Sequence, residues 1–279
     1  MRNVVPMKWL LARLYEPDLV IVDCRYQLND SSAGRAAYEQ GYIPGAVYFD
    51  LSKDLSSPVS EHGGRHPLPD IATFADKLGK AGIDETIRVV AYDDQGGMNA
   101  SRFWWLLKYL GHEKVYLLDE GFTAWKNAGY PVTNAAPPIR VPKKFTPRPQ
   151  PDMLADMEDV RTAVRDRTSV LVDSREHKRY IGQEEPIDRI AGHIPTARNR
   201  FWKDNVNADG KWKTVEELQE RFHDVNNHDN IIVYCGSGVS ACPNVVALDE
   251  AGFRNVKLYA GSWSDWISYR ENPVAVGEE

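Results

Sequence analysis

A cysteine at the end of an apolar stretch is the residue of this chain best suited to covalent chemistry. Residues 231–234, Ile-Ile-Val-Tyr, predict a β-strand that ends at Cys235, and residues 236–238, Gly-Ser-Gly, follow it. Glycines allow successive backbone N–H groups to turn inward and surround one anionic atom. The apolar segment 243–248 predicts a helix whose positive end points to the same place. A reactive thiolate is the first hypothesis, and a buried structural cysteine is the alternative.

Length and composition indicate a globular protein with two domains of ordinary size. The 279 residues are 42% hydrophobic and 27% charged. The formal charge of −6, without a basic block, argues against nucleic-acid binding. We find no apolar run of the roughly 20 residues that a membrane span needs, and residues 1–11 predict a helix from near Pro6 rather than a signal peptide. Three cysteines without paired spacing favour a reducing compartment, the cytoplasm.

The two halves of the chain repeat four sequence patterns in the same order. The matched segments are 19–25 with 169–175, 41–46 with 192–197, 88–93 with 231–235, and 115–125 with 256–266. Short apolar runs alternate with helical patterns in each half, which predicts an α/β fold with a mainly parallel sheet and helices on both faces. We therefore expect two copies of one domain, residues 1–135 and 152–279, joined by a proline-rich linker, residues 136–151.

The two copies differ at the position of the nucleophile. Where the second copy has Cys235, the first has Asp93. The first copy is therefore expected to be non-catalytic, a scaffold and one wall of a cleft. An aspartate and an arginine recur in both copies, as Asp23 with Arg25 and as Asp173 with Arg175. Because only one copy has the cysteine, this recurrence indicates a structural charge pair rather than a catalytic one.

These features together resemble one known family, the rhodanese sulfurtransferases. The resemblance is carried by the tandem repeat, the Asp-Ser-Arg run, the Gly-His-Ile-Pro run and the Cys235 loop, and it covers essentially the whole chain. The loop Cys-Gly-Ser-Gly-Val-Ser is similar to the Cys-Gly-Ser-Gly-Val-Thr form of the 3-mercaptopyruvate branch, and Ser240 keeps the threonine's hydroxyl. Thiosulfate-preferring members typically carry Arg and Lys after the cysteine. Some bacterial members with uncharged loops nevertheless carry a thiosulfate sulfurtransferase label.

The resemblance implies a two-step sulfur transfer. Cys235 attacks the outer sulfur of a donor, becomes a persulfide and releases pyruvate or sulfite. A thiol, cyanide or a thiol protein such as thioredoxin then removes the sulfur. The loop residues expected to hold the anionic sulfur through their backbone are Gly236, Gly238, Val239 and Ser240. Three functions stay open: 3-mercaptopyruvate sulfurtransferase, thiosulfate:cyanide sulfurtransferase, and a sulfur carrier without turnover.

The resemblance also implies arginines for the anionic group of the donor. Arg179 matches the family position that binds this group. A second substrate arginine of the mercaptopyruvate branch precedes the Gly-His-Ile-Pro run, and the alignment leaves Asp188 or Arg189 at that place. We assign Arg189 to this role, with surface solvation as the alternative for both arginines.

Three further residues are carried over from the mercaptopyruvate branch as a proton-transfer group. They are Ser237 in the cysteine loop and His66 and Asp50 in the first half of the chain. The donor leaves as an enolate-like fragment that must be protonated, which requires a nearby general acid. His62 is an alternative partner for Ser237, and packing within a loop is the alternative for His66.

Other chemistries find less support in the sequence. Cysteine-dependent phosphatases need an arginine six residues after the cysteine, where this chain has Ala241. Cys24 is expected to be structural, and Cys242 is expected to face the core, with a resolving role as its alternative. The chain lacks Cys-x-x-Cys, His-Glu-x-x-His and calcium-loop patterns, so we expect neither a metal nor an organic cofactor.

Overall fold

The computed structural model describes residues 3–137, 139–225 and 230–278, so parts of the predicted linker and second domain lie outside the described residues. The described residues form two compact units. Unit 1 takes those within 1–57, 69–150 and 206–212, and unit 2 takes those within 58–68, 151–205 and 213–279. Each predicted domain was continuous in sequence. In the structure, residues 58–68 of the first half belong to unit 2, and residues 206–212 of the second half belong to unit 1.

A hydrogen bond holds each of these two segments in its unit. In unit 2, the Gly63 N–H donates to Asp265 Oδ1 at 2.7 Å. In unit 1, the Trp212 N–H donates to Asp119 Oδ1 at 3.0 Å. Such long-range contacts have no local sequence signal, which is why the predicted boundaries missed both segments.

Unit 1 is a parallel α/β sandwich whose described residues include a five-stranded sheet in the order β1-β5-β4-β2-β3. Its elements are β1 (Val4–Val5), α1 (Met7–Leu11), β2 (Leu19–Asp23), α2 (Ala33–Gln40), β3 (Ala46–Tyr48), α3 (Ile71–Lys80), β4 (Arg88–Tyr92), α4 (Met98–Tyr109), β5 (Val115–Leu118) and α5 (Gly121–Asn127). Strand β2 is a continuous apolar run, Leu-Val-Ile-Val, and is buried along its whole length. Burial on both faces is typical of a central parallel strand covered by helices.

Unit 2 repeats this topology, with the strand order β6-β10-β9-β7-β8. Its elements are β6 (Leu154–Ala155), α6 (Met157–Asp166), β7 (Val170–Asp173), α7 (His177–Tyr180), β8 (Arg198–Asn199), α8 (Val215–Arg221), β9 (Ile231–Tyr234), α9 (Cys242–Ala251), β10 (Val256–Tyr259) and α10 (Ser262–Trp266). Strand β9 pairs in parallel with β7 and β10 and lies at the centre of the sheet. Because ligands bind beyond the carboxyl ends of such strands, the residue after β9 occupies the functional edge.

The predicted fold class is confirmed. The predicted strand 231–234 has the same bounds in the structure, and the predicted helix 243–248 lies within the helix Cys242–Ala251. Residues 139–150 of the predicted linker contain no helix or strand and belong to unit 1, where the Arg148 N–H donates to Leu110 O at 2.9 Å. Among the described residues, the helices are too short or too polar to cross a membrane.

The recurring aspartate and arginine form a buried ion pair in each unit, as the sequence predicted. In unit 1, Arg25 Nη2 donates to Asp23 Oδ2 at 2.6 Å and to the Gly41 carbonyl at 2.7 Å. In unit 2, Arg175 Nη2 donates to Asp173 Oδ2 at 2.6 Å and to the Gly192 carbonyl at 2.6 Å. Each pair therefore links the end of an inner strand, β2 or β7, to the loop before the neighbouring edge strand, β3 or β8.

We predict that Asp23→Asn lowers the free energy of unfolding by about 3–5 kcal/mol, because it leaves the buried Arg25 guanidinium without its carboxylate. Urea unfolding followed by circular dichroism measures this loss. The matched control is Asp18→Asn, since Asp18 also pairs with an arginine, Arg88, but on the surface. Equal stability of the two variants would contradict a structural role for the buried pair.

Candidate functional site

Cys235 lies directly after β9, at the carboxyl edge of the central strand of unit 2. Its side chain is buried, and its Sγ accepts a hydrogen bond of 3.1 Å from the Gly238 N–H. The loop therefore folds back so that an amide donor three residues later points at the sulfur. An N–H dipole in this position stabilises negative charge on the sulfur.

The two glycines of the loop are required for different reasons. Gly238 has a φ of +78°, and a Cβ at this position would collide with the Ala260 carbonyl oxygen. Only glycine adopts this backbone without strain, and the backbone directs the Gly238 N–H to the sulfur. At Gly236, a Cβ would lie 2.9 Å from Arg65 Nη2 and 3.6 Å from Arg179 Nη2. The absence of a side chain there leaves room for two guanidinium groups beside the nucleophile.

Ser262, which the sequence analysis did not single out, anchors the backbone of the cysteine. Its hydroxyl accepts from the Cys235 N–H at 3.1 Å, donates to the Tyr259 carbonyl at 2.9 Å and lies 4.0 Å from Cys235 Sγ. Ser262 has a φ of +56°, a strained conformation for a residue with a side chain. These hydrogen bonds offset the strain. The corresponding position of unit 1 is Gly121, with a φ of +79°.

The equivalent loop of unit 1 points its backbone N–H groups at a carboxyl group. The Asp93 carboxylate takes the place of the sulfur and accepts four backbone N–H groups at 2.8–2.9 Å, from Gln95, Gly97, Asn99 and Ala100. Burial raises the pKa of the Asp93 carboxyl, and the four amides act in the opposite direction. The first repeat therefore fills its own anion-binding loop with a side chain.

Two of the predicted proton-transfer residues contact each other in unit 2. His66 Nδ1 and Ser237 Oγ are 2.8 Å apart, and Ser237 is buried. The alternative partner, His62, contacts Ser268 Oγ at 2.7 Å and stacks on Tyr269 instead. Segment 58–68 thus brings a histidine from the first half of the chain to the cysteine loop.

Asp50, the third predicted member of this group, lies in unit 1. It is buried, and its Oδ1 accepts from the Ser52 N–H at 2.9 Å, the Ser52 hydroxyl at 2.8 Å and the Lys53 N–H at 3.1 Å. These bonds stabilise a tight turn after β3. The catalytic role of Asp50 stays a prediction.

The arginines beside the loop are Arg179, as predicted, and Arg65, which was missed. Arg179 Nη2 donates to Glu185 Oε1 at 2.7 Å and to Asp188 Oδ2 at 3.2 Å. Arg65 forms an ion pair with the same Asp188. Arg189, the residue assigned to the second substrate position, donates to the Ile267 carbonyl at 2.5 Å, just after α10. The structure therefore places Arg65, and not Arg189, against Gly236.

Sequence comparison assigns the family of this paired architecture. Residues 6–128 and 156–269 each match the family model described as a rhodanese-like domain. The chain belongs to the rhodanese family. The predicted resemblance is confirmed, and the two matches fall one in each half of the chain, as the internal repeat requires.

Relatives within the rhodanese family carry the names of two sulfur donors. A probable 3-mercaptopyruvate sulfurtransferase of Pseudomonas aeruginosa is 45% identical over 274 residues, 96% of each chain. A thiosulfate sulfurtransferase of Mus musculus is 33% identical and aligns with 95% of this chain and 92% of its own. The crystal structure of SseA from Escherichia coli, titled as a 3-mercaptopyruvate sulfotransferase, matches with a TM-score of 0.82 and 32% identity, over 95% of this chain and 100% of that one.

The remaining cysteines of this rhodanese lie in its interior. All three cysteines, including Cys24 and Cys242, are buried and form no disulfide. The Cys242 thiol donates to the Gly238 carbonyl at 3.3 Å, so it stabilises the cysteine loop from the helix side. Among the described residues, no group of three or more metal-binding side chains occurs.

We predict that Gly238→Ala slows alkylation of Cys235 by iodoacetamide about tenfold, because the added Cβ displaces the amide that stabilises the thiolate. Mass spectrometry of the Cys235 peptide over time measures the rate. The matched control is Gly129→Ala, since Gly129 has a similar φ of +73° but a Cβ added there would meet no atom within 4 Å. Unchanged alkylation in Gly238→Ala would show that this amide does not activate the sulfur.

Proposed function

We propose that this rhodanese transfers sulfur from 3-mercaptopyruvate to a thiol or cyanide through a persulfide on Cys235. The observation that carries the proposal is the Cys235 sulfur at the edge of β9, held by the Gly238 amide in a loop without charged residues. The relatives named above support the reaction class. The Gly-Ser pair after the cysteine supports the mercaptopyruvate donor.

In the first step, the Cys235 thiolate attacks the thiol sulfur of 3-mercaptopyruvate. A sulfur–sulfur bond forms and the carbon–sulfur bond breaks, so that its electron pair passes to carbon and gives the enolate of pyruvate. Protonation of that enolate yields pyruvate. The persulfide forms as Cys–S–SH, and once it loses the thiol proton of the donor its charge lies on the outer sulfur, in the loop whose Gly238 amide points at Cys235 Sγ.

Ser237 and His66 are suited to supply the proton. Ser237 lies two residues after the nucleophile, and its hydroxyl oxygen is 2.8 Å from His66 Nδ1. A hydroxyl that gives its proton to the enolate can regain one from the imidazole. Asp50 is proposed as the third member on the strength of the family resemblance alone.

Arg179 and Arg65 are proposed to bind the donor carboxylate. Both guanidinium groups lie against Gly236, the residue next to the nucleophile. Their planar N–H groups match a carboxylate and would orient the sulfur of the donor towards Cys235.

In the second step, an acceptor thiolate or cyanide attacks the outer sulfur and restores the Cys235 thiolate. A protein thiol such as that of thioredoxin is a proposed acceptor, and the cytoplasm is the proposed location because none of the three cysteines forms a disulfide. The name of the mouse relative favours thiosulfate as a second candidate donor.

Steady-state kinetics with each donor and one common acceptor tests the proposal. We expect a higher kcat/KM for 3-mercaptopyruvate than for thiosulfate, and complete loss of both activities in Cys235→Ser because oxygen cannot form the persulfide. Cys24→Ala, a buried cysteine of unit 1, is the control and should keep both activities. A clearly higher kcat/KM for thiosulfate would contradict 3-mercaptopyruvate as the donor. Persulfide exchange with a protein donor, without turnover of either small molecule, would favour a sulfur carrier.

We further predict that Ser237→Ala lowers kcat for 3-mercaptopyruvate about 100-fold and changes kcat for thiosulfate little. Sulfite leaves thiosulfate as a stable anion, whereas the pyruvate enolate must be protonated. Parallel assays of the two donors measure this difference, with Ser268→Ala, which removes the hydroxyl contacting His62, as control. Equal losses for both donors would assign Ser237 to the loop's structure rather than to proton transfer.

A further inference from the structure

Six side chains of unit 2 form one continuous chain of ion pairs that ends at the cysteine loop. We call it the arginine–carboxylate chain; in order, it consists of Asp173, Arg175, Glu185, Arg179, Asp188 and Arg65. Each successive pair is in direct contact, and the side chains of Arg175, Glu185 and Asp188 are at most 5% exposed. Because most of the arginine–carboxylate chain is buried, solvent screens its charges only weakly and they act on one another.

The arginine–carboxylate chain is electrically balanced. It contains three guanidinium groups and three carboxylates, so its formal charge is zero. Burial opposes ionisation of Glu185, but its contact with Arg179 and two backbone amides lowers the pKa of this carboxyl below its usual value. Burial raises the pKa of the Asp188 carboxyl, and the adjacent Arg65 acts in the opposite direction.

Asp188 has a special place because it contacts both arginines that lie beside Gly236. Its Oδ2 accepts from Arg179 at 3.2 Å, and its Oδ1 pairs with Arg65. Without this carboxylate, the two arginines would present an additional unit of positive charge to an anion at the nucleophile. With the Asp188 carboxylate in place, the arginines offer an incoming anion hydrogen-bond donors, but the group carries little net charge.

We propose that Asp188 is a specificity-determining residue that makes the site select donors with one negative charge over donors with two. This proposal rests on the proposed function and names the charge class of its donor. Desolvation costs a dianion much more than a monoanion, and net positive charge at the site offsets more of that cost for the dianion than for the monoanion. A balanced site therefore favours 3-mercaptopyruvate, a monoanion at its carboxylate, over thiosulfate, a dianion. Asp188 acts through the two arginines and is a positioning residue, not a catalytic one.

The test compares the ratio of kcat/KM for thiosulfate to kcat/KM for 3-mercaptopyruvate in four proteins and the wild type. Asp188→Asn adds one positive charge and is expected to raise the ratio about three- to tenfold. Arg65→Gln removes one and is expected to lower it by a similar factor. The double variant restores the balance and is expected to return the ratio to within about twofold of the wild type.

Asp224→Asn is the matched control for these variants. Asp224 also pairs with two arginines of unit 2, Arg198 and Arg200, but on strand β8 and the residue after it. We expect its donor ratio to equal that of the wild type. If Asp188→Asn does not fold, Arg65→Gln, whose side chain is 30% exposed, still gives the opposite shift. An unchanged ratio in the folded single variants, or a double variant that keeps the ratio of one single variant, overturns the proposal.

A binding measurement separates this proposal from the proposed function. Calorimetric titration with pyruvate, a monoanion, and sulfate, a dianion, needs no turnover. We expect the affinity ratio of sulfate to pyruvate to rise in Asp188→Asn and fall in Arg65→Gln. If the wild type converts neither donor but these affinities shift, the sulfurtransferase function fails and charge selection stands. If the wild type converts 3-mercaptopyruvate but neither ratio shifts, only charge selection fails.

Discussion

The structure of this rhodanese depends on one local constraint, a loop between strand and helix whose backbone N–H groups face inward. Such a loop lowers the energy of a negative charge at its centre without any cationic side chain. In unit 2 the central group is the Cys235 sulfur, which accepts from the Gly238 N–H. In unit 1 it is the Asp93 carboxylate, which accepts from four amides. The same backbone shape thus serves a nucleophile in one repeat and structural stability in the other.

The surroundings of this loop distinguish the two repeats. Both units keep the parallel sheet and the buried aspartate–arginine pair, so the scaffold is independent of the chemistry. In unit 2, segment 58–68 adds His66 next to Ser237 and Arg65 next to Gly236. The cysteine loop therefore has a histidine and two guanidinium groups next to it, which suits the proposed anionic donor whose leaving group must be protonated.

Charge balance around the cysteine loop is the physical basis that we propose for the choice of donor in this chain. Thiosulfate and 3-mercaptopyruvate both bear a transferable sulfur but differ by one charge. The backbone loop responds to the anionic sulfur that both reactions share. In the proposed selection, the side chains around the loop respond to the charge of the whole donor, and Asp188 forms ion pairs with the two arginines there.

Much of this molecule was predictable from local patterns. The nucleophile, the glycine loop and the parallel α/β repeats have short-range signals, because a buried strand requires a continuous apolar run and a tight anion-binding turn requires glycine. The ion pair of Asp173 with Arg175 was also predictable, since residues two apart recur in both halves. The contact of His66 with Ser237 was predicted only through the family resemblance.

The tertiary structure alone decided which distant side chains meet at the loop. Arg189, chosen for its place in the sequence, donates to the Ile267 carbonyl, whereas Arg65 reaches Gly236 from more than a hundred residues away in the chain. Segments 58–68 and 206–212 likewise belong to units that their sequence position does not indicate. Periodicity and turn chemistry act over a few neighbouring residues, so the sequence by itself determined the strands, the repeat and the nucleophile. Ion pairs between remote segments depend on how the whole chain packs, and therefore only the folded structure revealed the balanced charges around Cys235.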